Sequence, residues 1–402
     1  VVDVRDWRID EVVKLIRGPK STVVQLEVLP AASDNEDKGK LIEITRDVVK
    51  LEDAAAKKKE IEIKRASRNY NIGVIELPTF YMDFEAYNKN RFDYKSSSRD
   101  VKKILRELDE SNIDGLVLDL RGNGGGFLFE AYSLAKLFIG RGNVVQVMEA
   151  NGSLQSLGHN LGQQNYDGPI VILVDKLSAS ASEILAGVIQ DYDRGLVIGS
   201  QTFGKGTVQR MIELSHGHLK FTEQKYYRVS GESTQNKGVE PDITIPLVFD
   251  DEEIGERSYE NSLPYNHIDP IFYRSFNNVE NVDLLKTTSS NRTDSNEMSI
   301  YINSQQEFYE IEKNNNEVPI NLEIRKIMKL AREEKILKME NKFRKSLNLD
   351  PFVTYDEFVN SDPEEISELR EGIVLKEAAE ILVDSIQLKE APSRLSFGIL
   401  NQ

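Results

Sequence analysis

VILVDKLSASASEILAGVIQDYDRGLVIGSQTFGKGTVQ, residues 171–209, runs from a strand through a serine cluster into a helix, then to a second strand and a lysine between glycines. VILV is a continuous apolar run, as a strand covered on both faces requires. Ser178, Ser180 and Ser182 stand at the helix entrance, and LVIG is the second strand. Upstream, GLVLDL (115–120) is another buried strand, followed by the turn RGNGGG and the helix FLFEAYSLAKLFIG, which stops at Gly140. YNIGVIELPTFY (70–81) is a strand rich in β-branched and aromatic residues, ended by Pro78. Val101, Ile104, Leu105 and Leu108 stripe a helix over 98–109 with Ser98 as N-cap. Strands alternating with helices predict an α/β core with a mixed sheet. Thr207–Leu214 and Lys220–Ser230 alternate about an SHGH turn and predict a β-hairpin.

The flanks differ from this core. Residues 1–53 hold one amphipathic helix (Val12, Val13, Ile16) and a few short strands, too little to bury a core alone. AAAKKKEIEIK (54–64) reads as a charged connector. After about Leu247 the chain turns acidic (250–256), then Asn/Ser/Thr-rich over 287–306, which predicts loop. Helical patterns follow over 323–347 and 364–387. Ile324, Ile327 and Met328 stripe the first; Ile366, Leu369 and Ile373 stripe the second. The expected domains are 1–53, 54–247 and a helical C-terminal domain, 248–402, with a scaffold role.

Composition narrows the function classes. The 402 residues are 39% hydrophobic and 29% charged, with a net charge of −16. That charge argues against non-specific binding to nucleic acid or to an anionic membrane surface. No apolar run approaches the roughly 18 residues of a membrane span. There is no cysteine, which rules out disulfides and thiolate metal sites. The chain opens on Val-Val-Asp rather than Met, which predicts a processed form or a fragment, with any signal peptide lost upstream.

The chemistry centres on Ser180 and Lys205. A serine hydroxyl is a poor nucleophile until a base takes its proton. None of the four histidines (His159, His216, His218, His267) sits in an informative motif. A lysine serves instead if burial or a neighbouring cation lowers its pKa. Lys205 lies in TFGKGT, where flanking glycines let the backbone approach closely. In an extended chain Lys205, Thr207 and Gln209 point to one side, so Gln209 can fix the direction of the amine. A surface lysine in a glycine turn is the plain alternative. A phosphate loop is the weaker rival: GSQTFGKG has Gly206 where a hydroxyl must hold magnesium, and TVQRMIEL alternates as a strand where a helix must open. Ser180-x-x-Glu183 is also a capping box, a purely structural device. A helix start nonetheless offers free N–H groups to a developing oxyanion, Ala181 first. Gly124–Gly126 present bare backbone as a second donor, though such a turn also suits a phosphate.

The segments YNIGVIELPTFY, GLVLDLRGNGGG, ILVDKLSASASEILAGVIQDY, GSQTFGKGTVQ and YYRVSGESTQNKGVEPDI together resemble the tail-specific, or C-terminal processing, family of serine proteases. The likeness is greatest to the long bacterial periplasmic branch, which carries a helical extension. It covers residues 1–250 well and the tail loosely. WRIDEVVKLIRGPKSTVVQLEVLP resembles the C-terminal half of a PDZ domain, with Asp10–Arg17 on the helix that lines a peptide groove. The family's nucleophile is the middle serine of SASAS, 25 residues before the lysine, which selects Ser180. By the same likeness Gln209 assists Lys205, and Gly125 or Gly126 with the Ala181 amide forms the oxyanion hole. Glu183, Asp191 and Thr202 fall on supporting positions. The resemblance implies a mixed-sheet peptidase core and endoproteolysis of proteins with apolar, unstructured C-termini in the periplasm, sometimes with a lipoprotein adaptor. No metal or organic cofactor is implied. A scaffold that captures C-termini without cutting, or an inactive fragment of such a protease, is the alternative.

Overall fold

A computed structural model describes residues 2–5, 7–29, 39–47, 54–66, 68–158, 162–245, 254–294, 296–314 and 319–390. His159, both expected domain boundaries (53 and 247) and most of the acidic run 250–256 lie outside them. Two compact units emerge: Val1–Asp53 with Phe352–Ser361, and Ala54–Pro351 with Asp362–Gln402. In the first, helix α1 (Ile9–Ile16) precedes an antiparallel pair, β1 (Val23–Val28) and β2 (Lys40–Thr45). Arg46 fastens them, donating from Nε to Ile16 O at 2.6 Å and from Nη1 to Thr22 Oγ1 at 2.9 Å.

The second unit is built on a six-stranded sheet. Its strands are β3 (Lys57–Lys64), β4 (Asn69–Glu76), β5 (Gly115–Asp119), then β8 (Ile170–Val174), β9 (Leu196–Gly199) and β12 (Ile243–Thr244). The spatial order is β12-β9-β8-β5-β4-β3, all parallel except β3. This is the mixed sheet expected of an α/β core. A second sheet has the order β10-β11-β6-β7, from β6 (Val145–Glu149), β7 (Leu154–Leu157), β10 (Thr207–Glu213) and β11 (His218–Tyr227). The β10–β11 pair is the anticipated hairpin, with a register shift at Val208/Gln209.

One face of the main sheet is covered by α3 (Ser97–Glu110), α4 (Leu128–Ile139) and α5 (Ala181–Asp191), which pack around Leu116, Leu118, Ile172 and Val197. The other face is covered from the C-terminal region. Helix α10 (Pro363–Glu390) lays Val374, Leu375, Ala378, Ile381, Leu382 and Ile386 against Ile72, Val74, Val117, Val171 and Ile198. Partly buried ion pairs reinforce the seam: Arg292 is bidentate on buried Glu377 and also meets Asp384 at 2.8 Å, and Arg65 meets Asp384 at 2.8 Å.

Several expectations fail here. The charged connector 54–64 is mostly edge strand β3: Ile61 and Ile63 alternate inward with Lys59, which pairs with Glu76 at 2.8 Å, while Lys57, Lys58 and Lys64 are exposed. Lysine on an edge also discourages pairing with foreign strands. The polar stretch 287–306 is not loop but falls in α6 (Val282–Thr293) and α7 (Glu297–Asn314). Thr287, Thr288 and Thr293 bond back to carbonyls four residues earlier, and Leu285 and Ile302 are buried, so packing overrides weak propensity. The stripe Ile324, Ile327, Met328 is exposed at the start of α8 (Leu322–Ser346) rather than packed. The N-cap of α3 is Ser96, not Ser98. Among the described residues no helix is long and apolar enough to cross a membrane.

Candidate active site

Strand β8 delivers the chain to a loop that is pinned on both sides of Ser180. Ser178 Oγ donates to Leu120 O at 2.8 Å, and Ser182 Oγ donates to Asn123 O at 2.8 Å; both serines are fully buried. Asp175 accepts from the amides of Gly122 at 3.0 Å and Ser178 at 2.9 Å. The outer serines therefore fasten the serine loop to the glycine loop. Ser180 between them is half-buried and stands at the N-cap of α5, where it forms a capping box with Glu183. Its backbone adopts φ +58 and ψ −109, which a non-glycine residue holds only when its surroundings force it. Such strain is characteristic of reactive positions.

Glu183 supplies part of that force. It is fully buried in the first turn of α5 and collects four donors. Oε2 accepts the amides of Ser180 at 2.8 Å and Lys205 at 2.9 Å. Oε1 accepts Thr202 Oγ1 at 2.6 Å and the Gly204 amide at 2.7 Å. Two amides on one oxygen lie within about 6 Å of each other, so this carboxyl holds the nucleophile loop and the lysine loop together. Burial outweighs the four hydrogen bonds and pushes the carboxyl up to about 7. Thr202 in turn accepts from the Val239 amide at 2.7 Å. The capping reading of Glu183 is thus true, and the same side chain reaches across to Lys205.

Tyr226 makes a second bridge that sequence reasoning missed. Its buried phenol donates to Lys205 O and lies 3.2 Å from Ser180 O. Burial and nearby Glu183 keep that phenol protonated. Thr234 Oγ1 adds a bond to Lys205 O at 3.2 Å, and Gln235 Oε1 holds the Gly206 amide at 2.9 Å. The available signal was the segment YYRVSGESTQ, where tyrosine and hydroxyl residues crowd the end of a strand.

The Lys205 side chain is half-buried. Burial, then the Lys220 charge, lower its pKa, against smaller opposing pulls from Glu256 and Glu183. Its Nζ lies 3.5 Å from Gln209 Oε1, at the outer limit of a hydrogen bond. No direct hydrogen bond joins Ser180 Oγ to Lys205 Nζ among the described residues. The two loops are joined through Glu183 and Tyr226.

The glycine loop lies against Ser180. A Cβ on Gly125 would sit 2.8 Å from Ser180 Cβ and 3.1 Å from Ala181 N, and φ there is +100. The Gly125 amide is given to Asn123 Oδ1 at 2.9 Å. Among the described residues the amides of Gly124, Gly126 and Ala181 have no acceptor, and Gly126 and Ala181 flank the Gly125–Ser180 contact. A Cβ on Gly126 would strike Phe80 O at 2.2 Å, so backbone contact requires glycine there too. Asp191 is not in this cluster. It ends α5, about 16 Å along the helix from Ser180, and pairs bidentately with Arg228 at 2.6 and 3.1 Å. His216 and His218 stand in the exposed hairpin turn.

A buried parallel sheet feeding a strained serine at a helix mouth, with bare amides beside it and a lysine loop clamped to it, matches known proteins along most of its length. Residues 71–245 match Peptidase family S41. Residues 71–245 thus carry the domain of this class of serine peptidases. Residues 249–387 match the C-terminal domain of tail specific protease, the domain that accompanies the peptidase domain here. The tail-specific protease of Haemophilus influenzae is 36% identical over 357 residues, 87% of this chain and 46% of that one. The carboxyl-terminal-processing protease of Synechocystis sp. is 33% identical over 250 residues, 61% of this chain and 53% of that one. The photosystem II D1 C-terminal processing protease covers 59% of this chain and 59% of its own at 27% identity, with a TM-score of 0.41. The chain spans about half the length of the curated relatives it matches.

Proposed function

We propose that the chain is an endopeptidase in which Ser180 attacks a peptide carbonyl and Lys205 is the base. The observation that carries this reading is the shared Glu183 carboxyl, which ties the backbone of the strained Ser180 to that of a lysine whose pKa burial lowers. Neutral Lys205 takes the Ser180 proton, and an acyl-enzyme forms. The lysinium then protonates the leaving amine, and water releases the acid. The amides of Gly126 and Ala181 stabilise the oxyanion, with Gly125 providing the close approach. Gln209 directs the amine, Thr202 braces the loops through Glu183, and Asp191 supports from the far end of α5 by holding Arg228 and Ser230. The substrates are proteins with apolar, unstructured C-terminal tails, and the work is done in the periplasm, with a lipoprotein adaptor for some of them. Residues 1–53 are the C-terminal half of a PDZ domain that captures the tail, 54–247 the peptidase core and 248–402 its helical extension. The test is incubation of the chain with an unfolded protein ending in apolar residues. Cleavage by the parent and none by Ser180→Ala or Lys205→Ala supports the reading. Tail binding without cleavage by the parent supports a capture scaffold instead.

A further inference from the structure

A chain of aromatic rings begins beside the glycine loop. Phe127 directly follows Gly126, and its ring stacks on Phe84 with centroids 6.1 Å apart and planes 13° from parallel. Phe84 stacks on Tyr87 at 6.5 Å. Tyr87 meets Tyr94 edge-on at 5.4 Å and Phe129 at 5.9 Å, and Phe129 meets Tyr132 at 4.8 Å. Aromatics that serve the core of this unit are sealed: Tyr70, Phe80, Phe138 and Tyr226 are at most 2% exposed. Phe84, Tyr87 and Phe127 are instead 53%, 39% and 40% exposed. Large exposed rings in contact with one another mark a binding surface more often than a structural one.

The frame under these rings is fixed. Phe80 donates its amide to Gly125 O at 2.9 Å and accepts the Phe127 amide at 2.9 Å, so the segment bearing Phe84 is bridged to the glycine loop. Asp83 Oδ1 caps the short helix of Phe84 and Tyr87 by accepting the Ala86 amide at 2.9 Å. Buried Glu130, one residue past Phe129, accepts Ser97 Oγ at 3.0 Å and the Ser98 amide at 2.7 Å. The rings are therefore held before any ligand arrives, which lowers the cost of binding.

We propose that this ring shelf is a subsite for a large apolar side chain flanking the bond to be cut, so that apolar contact selects the cleavage position as well as the tail. The proposal rests on the peptidase reading above. Its occupant follows from continuity. A carbonyl held by the Gly126 and Ala181 amides has flanking residues spaced about 3.8 Å apart along the chain, and Phe127 is one residue from that amide. Arg99 covers one face of Tyr94, 3.7 Å from its centroid, which leaves Phe84, Tyr87 and Phe127 as the open apolar surface.

The test separates the shelf from the chemistry. Fluorescein-labelled twelve-residue peptides with Phe, Leu, Ser or Asp at the centre are bound to the Ser180→Ala chain and to the same chain carrying Phe84→Ser and Phe127→Ser. The Phe and Leu peptides are expected to bind at least tenfold more weakly to the shelf variant, with the Ser and Asp peptides unchanged. Phe127→Leu is expected to restore most of the affinity, which excludes misfolding. Cleavage sites in reduced, unfolded casein are mapped in parallel with Ser180 intact, for the parent and for Phe84→Ser with Phe127→Ser, and this shelf variant is expected to lose its preference mainly through a raised KM. Equal binding of all four peptides by both forms overturns the proposal. So does cleavage at unchanged sites by the shelf variant, which leaves the peptidase reading intact. Shelf-dependent binding by a parent that cuts nothing overturns the peptidase reading and leaves the shelf standing. A change of oligomeric state on losing the rings, without a change in peptide binding, assigns the face to a second copy and overturns the proposal.

Discussion

Replacing Glu183 with glutamine tests how the two loops are held. The carboxyl accepts from four donors, at 2.6–2.9 Å. Glutamine keeps one acceptor oxygen and turns the other into a donor. The Thr202 hydroxyl can rotate, but at least one buried amide is left facing an N–H group, at about 1–3 kcal/mol. The pH dependence sharpens the prediction. Burial raises the folded-state pKa from 4.5 to about 7. Between those values the folded chain holds a proton that the unfolded chain has released. Stability from this group is therefore fully present below pH 4.5 and lost as pH rises through 7, by about 3 kcal/mol in total. Glu183→Gln does not titrate. Urea unfolding should show the gap between parent and variant moving in the variant's favour by about 2–3 kcal/mol from pH 5 to pH 8. Peptide cleavage should be impaired at both. A gap that widens from pH 5 to pH 8 would mean that the hydrogen bonds, not burial, set the ionisation, and the reasoning would be refuted.

Other outcomes follow from the same geometry. Cleavage should rise with pH as Lys205 loses its proton, with a midpoint below the ordinary lysine value of 10.5, and Lys205→Arg should be inactive throughout because guanidinium keeps its proton. Gly125→Ala puts a methyl 2.8 Å from both Ala179 O and Ser180 Cβ at φ +100, so kcat should fall by at least tenfold while the far-UV spectrum is kept. Leu382→Ala removes a buried contact between α10 and the sheet and should lower unfolding stability by about 2–5 kcal/mol, measured by urea midpoint; an unchanged midpoint would mean that the helix is not part of the core.

The catalytic arrangement was legible where local pattern and chemistry coincide. The strand-serine-helix order, the capping box and the glycine-flanked lysine all lie within 40 residues of sequence. What joins them was harder to read. Glu183 has a sufficient local explanation as a cap, and its reach to Lys205 depends on how β8 and β9 are placed. Tyr226 is hidden because one tyrosine in an alternating strand resembles any other. Strand β3 was misread because three lysines outweighed the Ile61/Ile63 alternation. Helices α6 and α7 were missed because Ser, Thr and Asn favour loops until their hydroxyls bond back to the helix and their few apolar residues find a partner. The exposed face of α8 shows the reverse error. A helical stripe of Ile324, Ile327 and Met328 fixes the period of a helix but not what it packs on.

One question decides the account: whether Ser180 becomes acylated, and whether it does so through Lys205. The chain is mixed with an unfolded substrate, quenched in acid within a turnover and digested for mass spectrometry. A peptidyl adduct on Ser180 in the parent, absent from Lys205→Ala, is the predicted result. An adduct on Ser178 or Ser182, or one on Ser180 that forms as fast without Lys205, would contradict it.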